Sequence, residues 1–445
     1  MTSSTVLPAP AGMAAGHDES ALARATLRRV SLRLLPFLFV LYVCNFLDRT
    51  NVGIAALQMN RDLHLSASVF GLGAGIFFLG YAIFEVPSNL ILARVGARRW
   101  IARIMISWGL IATAMMFVRT PTQLYALRFL LGVAEAGFFP GIIYYLSQWF
   151  PAEQRARATS RFMIAIPLSA AVGSPLSGAL LSLNGRLGLA GWQWLFLMEG
   201  LPSVVLGVAV FVYLTDQPED ARWLSETERT WLTTRLRRDQ EESAAPHGVP
   251  PLRALKHPMV WLVSLPVFLL LTSAYSYTFW APTIIRDTLH TSNMQTGLIT
   301  GAIGCLGAVA MLIVGESSDR ASERFLHAAG CAALVALGYV GTAVLPNPFA
   351  RIASLALVSI GAVSFLAPFW CLPTMLLRGS AAAAGIALVN AIGNVGGFVG
   401  PYVVGRLKDA TGGTAGAFIA NAVIALAAAV LCLMLRRRTV FAYHK

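Results

Sequence analysis

The segment TDQPEDARWLSETERTWLTTRLRRDQEESAAPHGVPPLRALKH (215–257) is the one long polar stretch in a chain otherwise made of apolar runs. It contains Glu219, Asp220, Arg235, Arg237, Arg238 and Glu241, and the same pattern lies on either side of it. Before it, apolar runs fall near 34–57, 69–93, 101–118, 122–147, 159–182 and 194–214; after it they fall near 258–281, 294–314, 326–345, 350–377, 381–405 and 413–435. Each is close to the roughly 20 apolar residues needed to cross a bilayer core. Composition agrees: the chain is 56% hydrophobic and 12% charged, whereas soluble domains carry about 25% charge. The sequence therefore predicts an all-α polytopic membrane protein with 12 transmembrane helices in two pseudo-symmetric six-helix bundles. A transmembrane barrel is excluded, because its strands alternate polar and apolar residues while these runs are apolar on every side.

The resulting division is a leading segment (1–33), a first bundle (34–214), the central loop (215–257), a second bundle (258–435) and a tail (436–445). Positive residues are retained on the cytoplasmic side of a membrane protein, so counting Lys and Arg in alternate loops gives the orientation. The loops on the side of the termini hold 25 and the opposite loops hold seven; the other two of the 34, Arg49 and Arg128, lie inside helices. Both termini are expected in the cytoplasm. The net charge of +13 is mainly an insertion signal and needs no nucleic-acid partner. No basic start followed by an apolar stretch precedes residue 24, so no cleavable signal peptide is expected. The five cysteines stand at unrelated spacings inside apolar runs and offer neither a metal motif nor a disulfide framework.

Starts of corresponding helices in the two halves differ by 220–228 residues, the regularity of a duplicated six-helix unit. Such repeats are the design of transporters whose halves rock about a central site. A local motif accompanies the repeat. Gly315, Asp319, Arg320 and Arg324 form G-x-x-x-D-R-x-x-x-R after the eighth helix, and Asn89, Ala93, Arg94, Gly96 and Arg98 stand at the equivalent place after the second. Both are partial copies of the G-x-x-x-D-R-x-G-R-R loop of the major facilitator superfamily, which the chain resembles over nearly its full length. The resemblance implies that Arg94, Arg98, Gly315, Asp319 and Arg320 act as a conformational latch on the cytoplasmic side. Ala93 departs from the motif, which weakens the first copy.

A charge inside a membrane helix costs several kcal/mol unless paired or hydrated, so each is a functional candidate. Those here are Asp48 and Arg49 in helix one, Glu85 in helix two, and Arg128 and Glu135 in helix four; Glu199, early in helix six, reads as a solvated or packing residue near the outer interface. Asp48 lies ~21 Å into helix one, at a depth comparable to Glu135 on helix four, and Arg128 lies ~10 Å further out on the same face as Glu135. Two carboxylates and two guanidiniums are thus expected to converge in the first half. All seven histidines fall in loops or at helix ends, so any proton crossing the protein must travel on carboxylates. Burial raises a carboxylate's proton affinity and a nearby Arg lowers it, so an arriving anion can switch it.

The second half offers hydrogen bonds and rings instead: Ser273, Tyr275, Ser276, Tyr277 and Trp280 on helix seven, Trp370 and Thr374 on helix ten, and Asn390 and Asn394 one turn apart on helix eleven. Tyr81 on helix two could join them. Trp280 reads equally well as an interfacial anchor, and the paired glycines and the prolines read as close-packing positions and kinks.

Within the superfamily, FLDRTNVGIA (46–55), GYAIFEVPSNL (80–90), RFLLGVAEAGFFPGIIYYLSQWFP (128–151) and GWQWLFLMEGLPSV (191–204) resemble the anion:cation symporter family. The central-loop text DQPEDARWLSETERTWL (216–232) is most similar to its tartrate, phthalate and nicotinate branch. The resemblance implies proton-coupled uptake of a small organic carboxylate across the bacterial inner membrane. Its residues fall on Asp48, Arg49, Arg128, Glu135 and Tyr81, and on Asn390 or Asn394. The expected roles are a substrate carboxylate on Arg49 and a proton on Glu135 with Asp48, whose proton affinity Arg128 biases. Tyr81, Tyr277, Trp370, Asn390 and Asn394 are expected to shape the substrate site. The coupling ion is the proton, no cofactor is expected, and a single chain in the bilayer suffices. Uncoupled or exporting transport is the alternative, and an anion sensor signalling through the central loop is a remote one. The sequence shows no His-rich, Ser-His or Cys-based constellation of an enzyme.

Overall fold

A computed structural model describes residues 11–242, 258–376 and 381–443. It contains 12 helices long and apolar enough to cross a membrane: Ser20–Asp62, Ala67–Val95, Ala97–Phe117, Pro121–Ser147, Ala152–Leu181 and Gly191–Tyr213, then Pro258–Leu289, Asn293–Arg320, Phe325–Val344, Pro348–Pro373, Gly385–Thr411 and Ala415–Arg437. They are called the first to twelfth spans. The end of the bundle where the first span starts and the twelfth stops is the lower end, and the opposite end is the upper.

The starts of the spans at the upper end are written into the sequence as caps. The side chains of Ser66 and Thr120 accept from the backbone N–H three residues on, as does Ser292, which forms a full capping box with Gln295. Each cap satisfies a first-turn amide that otherwise has no partner. At the lower end the first helix begins well before its apolar run, at Ala11. Its basic lead-in is held by a surface helix of the central segment, Glu226–Glu242, through an ion pair between Arg29 and Glu228 (2.6 Å). That surface helix also accepts the Ala152 backbone N–H on Asp239 (2.7 Å), so it is tied to the first half.

Within each half the packing repeats. The third span lies along the sixth as the ninth lies along the twelfth, and the second along the fourth as the eighth along the tenth. The first packs on the fifth and sixth as the seventh packs on the eleventh and twelfth. Between the halves, the second span packs on the eleventh, the eighth on the fifth, and the first on the seventh.

These seams are built from small residues that bring backbones together. A methyl group added to Gly75 would sit 2.6 Å from the Phe398 carbonyl oxygen, and one added to Gly178 would sit 2.7 Å from that of Asn293. Polar ties reinforce the upper end. Asp409 of the eleventh span accepts from the Ala67 and Ser68 amides at the start of the second (3.0 and 2.8 Å), and Arg286 of the seventh donates to the Leu57 carbonyl of the first. Trp280 is buried here and not at a lipid interface. It meets Phe70 edge-on (5.3 Å) across the seam and donates to the Pro401 carbonyl (3.3 Å).

Three spans are interrupted. The fourth breaks into Pro121–Glu135 and Phe138–Ser147 around Gly137, whose φ of 85° is in the left-handed region that glycine alone enters without strain. The fifth breaks between Met163 and Ala165, and the tenth breaks at Trp370, between Pro368 and Pro373.

Candidate functional site

The break in the fourth span follows directly on Glu135, which is fully buried at the end of its half-helix. Arg49 of the first span meets it: Nε donates to Oε1 (2.9 Å), and a terminal nitrogen of the same guanidinium reaches the same oxygen. Glu135 Oε2 is buried without a hydrogen-bond partner. Arg49 keeps 13% of its side chain exposed while Glu135 keeps none. The cation is therefore the member of the pair that an arriving anion can touch. Its guanidinium lies over the rings of Tyr81 (4.9 Å) and Phe77 (5.4 Å) of the second span.

Arg128 is also fully buried, but it does not bond Glu135. Its Nε and a terminal nitrogen donate to the carbonyls of Gly73 and Ala74 (3.3 and 3.1 Å), and the guanidinium lies 4.9 Å from the Phe77 ring centre. It adds positive charge near Glu135 from a fixed perch on the second span. This supplies the electrostatic neighbour that the sequence anticipates, without a direct ion pair.

Asp48 corrects the expected convergence. Adjacent residues on a helix point about 100° apart, and Asp48 turns away from Arg49 into the body of the first half. There its Oδ2 accepts from Trp108 Nε1 (2.8 Å) and Ser203 Oγ (2.9 Å). Glu199, one turn from Ser203 on the sixth span, is buried and not solvated: it accepts from Ser177 Oγ (2.7 Å) and lies close enough to Asp48 to interact electrostatically. The first half thus holds two carboxylate centres within electrostatic reach of each other. Glu135 is paired with Arg49, whereas Asp48 and Glu199 are held by hydroxyl and indole donors.

From the second half the seventh span contributes Tyr275 and not Tyr277. Tyr275 packs on Phe78 (ring centres 4.3 Å) and interacts electrostatically with Arg49, whereas Tyr277, 200° around the helix, is turned toward Ser359 of the tenth span. Asn390 of the eleventh span reaches across to the second, where Nδ2 donates to Glu85 Oε1 (3.4 Å). Asn394 is buried one turn above it. Trp370 stands at the break of the tenth span against Phe369 (5.6 Å). The side chain of Thr374 lies outside the described residues. Among the described residues no cluster of three or more His, Cys, Asp or Glu could hold a metal ion.

The sequence profile of the Major Facilitator Superfamily matches residues 38–401. The chain belongs to the major facilitator superfamily. Among the relatives of this major facilitator, a putative tartrate transporter of Agrobacterium vitis is 49% identical over 94% of this chain and 96% of its own length. A quinolone resistance transporter of Acinetobacter baumannii is 41% identical over 87% of this chain and 89% of its own. In fold, the chain superposes with a TM-score of 0.76 on a bacterial homologue of the human lysosomal transporter Spinster, covering 91% of this chain and 96% of that one at 17% identity. The protein is a multi-pass membrane transporter and not an enzyme, and the tartrate relative agrees with the anion:cation symporter resemblance.

The motif residues of this major facilitator bond within their own halves. The Arg98 backbone N–H donates to Asp216 (2.8 Å) and its side chain pairs with the same carboxylate (3.4 Å), while Arg94 is exposed. Gly315, Asp319 and Arg320 lie in the last turns of the eighth span, with Asp319 paired to Arg324 and Arg320 to Glu316. Arg436 of the twelfth span pairs with Glu323 beside them (3.5 Å).

Proposed function

We propose that the protein is a proton-coupled symporter that takes up a small organic carboxylate across the bacterial inner membrane by alternating access, with both termini in the cytoplasm. The 25 to seven distribution of basic residues supports that orientation, which makes the lower end cytoplasmic. The ties between halves described above, at Gly75, Gly178, Asp409 and Arg286, lie in the upper part of the bundle. The structure then corresponds to a state closed toward the outside.

The observation that carries the reading is the Arg49–Glu135 pair: a partly exposed cation that, among the described residues, pairs with a fully buried acid. A carboxylate substrate and the Glu135 carboxylate are alternative partners for the same guanidinium. When a proton arrives on Glu135, its charge is neutralised and Arg49 is freed to hold the substrate carboxylate. When the substrate leaves, Arg49 returns to Glu135 and the proton is released. Arg128, fixed on the second-span carbonyls, keeps the surroundings positive throughout. Asp48, held by Trp108 and Ser203 within electrostatic reach of Glu135, is the second acid available to the coupling proton. No cofactor takes part.

Glu135→Gln tests the reading in proteoliposomes. Accumulation driven by an inward proton gradient should vanish while exchange of labelled for unlabelled substrate persists. Intact accumulation would sink the assignment. A second reading, export of an organic anion, is favoured by the relative named as a quinolone resistance transporter. Reversing the proton gradient distinguishes them, since a symporter accumulates substrate only on the side toward which protons flow.

A further inference from the structure

Glu85 is a buried carboxylate that the coupling scheme leaves unused. It sits on the second span one turn below Tyr81, the ring on which Arg49 stacks, so its Cα lies about 6 Å below that of Tyr81 along the helix axis. Arg49 and Glu85 interact electrostatically without touching. Across the seam, Asn390 of the eleventh span donates its amide to Glu85 Oε1 (3.4 Å). This side-chain bond between the halves lies on the lower side of Arg49, whereas the ties through Asp409 and Arg286 lie at the upper end.

The chemistry of the two ends is opposite. A guanidinium carries only donors, whereas the Glu85 carboxylate accepts the Asn390 amide on one oxygen and retains further acceptor capacity. A bound molecule bridging them must present an acceptor at its upper end and a donor at its lower end. Burying an acid in this position costs several kcal/mol, and one neutral amide from the opposite half offsets that weakly.

Resting on the carboxylate reading above, we propose that Glu85 is a specificity residue. Together with Asn390 it reads a hydrogen-bond donor on the transported anion, so the substrates are carboxylates that also carry a hydroxyl, ammonium or ring N–H group. Such a donor takes the place of the Asn390 amide on Glu85, and the amide in turn is free to bond the substrate. A carboxylate of the same size without a donor leaves Glu85 desolvated and unmatched, and is rejected.

The test uses the full-length protein in proteoliposomes with matched pairs that differ only in the donor: tartrate against succinate, and 4-hydroxybenzoate against benzoate. A hydrogen bond to a charged group corresponds to a preference of about 10- to 100-fold for the donor-bearing member. Glu85→Met removes the acceptor at nearly constant volume and should bring the ratio close to one, chiefly by lowering transport of the donor-bearing member. Glu85→Gln keeps an acceptor oxygen without its charge and should give an intermediate ratio, which provides a reading if the Met variant fails to assemble. A purely structural role would lower both members together and leave their ratio alone. Equal transport of both members by the wild type, or a ratio unmoved in both variants, overturns this inference while the carboxylate reading stands. Failure to transport any of the four overturns both.

Discussion

Gly75→Ala should loosen the closed outer end. The added methyl would lie 2.6 Å from the Phe398 carbonyl oxygen, 3.1 Å from its Cα and 3.2 Å from its carbonyl carbon. All three are backbone atoms of the opposite half, so no rotamer change relieves the contact, and the second and eleventh spans must separate by several tenths of an ångström. Overpacking of this kind costs about 1–3 kcal/mol. Separation of the seam in the outward-open state removes the clash, so nearly all of the cost falls on the closed state. A free-energy difference of that size moves a two-state equilibrium by about 5- to 150-fold. The assay is a pulsed electron–electron distance measurement in a cysteine-free background, with spin labels at Arg61 and His290, exposed positions on opposite halves at the upper end. The ratio of the long-distance to the short-distance population should grow by that factor. Gly413→Ala, where nothing lies within 4 Å of the added methyl, should change nothing. A distance distribution in Gly75→Ala identical to that of the control would refute the assignment of the seam as the outer closure.

Other perturbations probe the site and its supports. Arg49→Lys keeps the charge but loses the planar fork that contacts Glu135 and stacks on Tyr81 and Phe77, and uptake should fall by about ten-fold or more; unchanged initial rates would argue against a direct role for the guanidinium. Asp48→Leu leaves the buried donors of Trp108 and Ser203 without an acceptor, a loss of about 1–3 kcal/mol, so thermal unfolding in detergent should shift downward by several degrees while Asp48→Asn shifts it less. Gly137→Ala forces a side chain into a left-handed conformation at about 1–2 kcal/mol and pushes it against the Ser88 side chain, and since the break holds Glu135 in place, transport should drop more than thermal stability does. Arg29→Ala removes a half-exposed guanidinium from Glu228, whose buried carboxylate keeps the Ser225 amide, and should cost about 1 kcal/mol, with transport at wild-type rates.

The spans were legible because a bilayer crossing imposes a length and a polarity that survive in any single sequence, whereas the caps at Ser66, Thr120 and Ser292 emerged only from the structure. Depth was legible too: Arg49, Tyr81 and Glu135 do meet. The direction a side chain faces around its helix was not. Asp48 and Arg49 are neighbours in sequence and share a depth, yet one faces Trp108 and the other Glu135. Tyr275 and Tyr277 differ in the same way. Period-counting fails here because spans that are apolar on every side lack a polar face to set the phase. Glu199 was placed too near the surface because the sixth span starts at Gly191, a turn before its apolar run. Its four-residue spacing to Ser203 was the available signal that it shares a face with a buried hydroxyl.

The contacts between the halves carry a record of descent. The eleventh span occupies in its half the place of the fifth, and the eighth that of the second, so the pairings second–eleventh and fifth–eighth are one contact made twice. The first and seventh spans, also counterparts, meet on the axis between them. This is the arrangement of an isologous dimer, and it means that a six-helix ancestor could have assembled with a copy of itself through the surfaces still in use. Fusion then released the copies from the requirement to be identical. The buried Arg, Asp and Glu residues now concentrated in one half and the rings and amides of the other are what that release permitted.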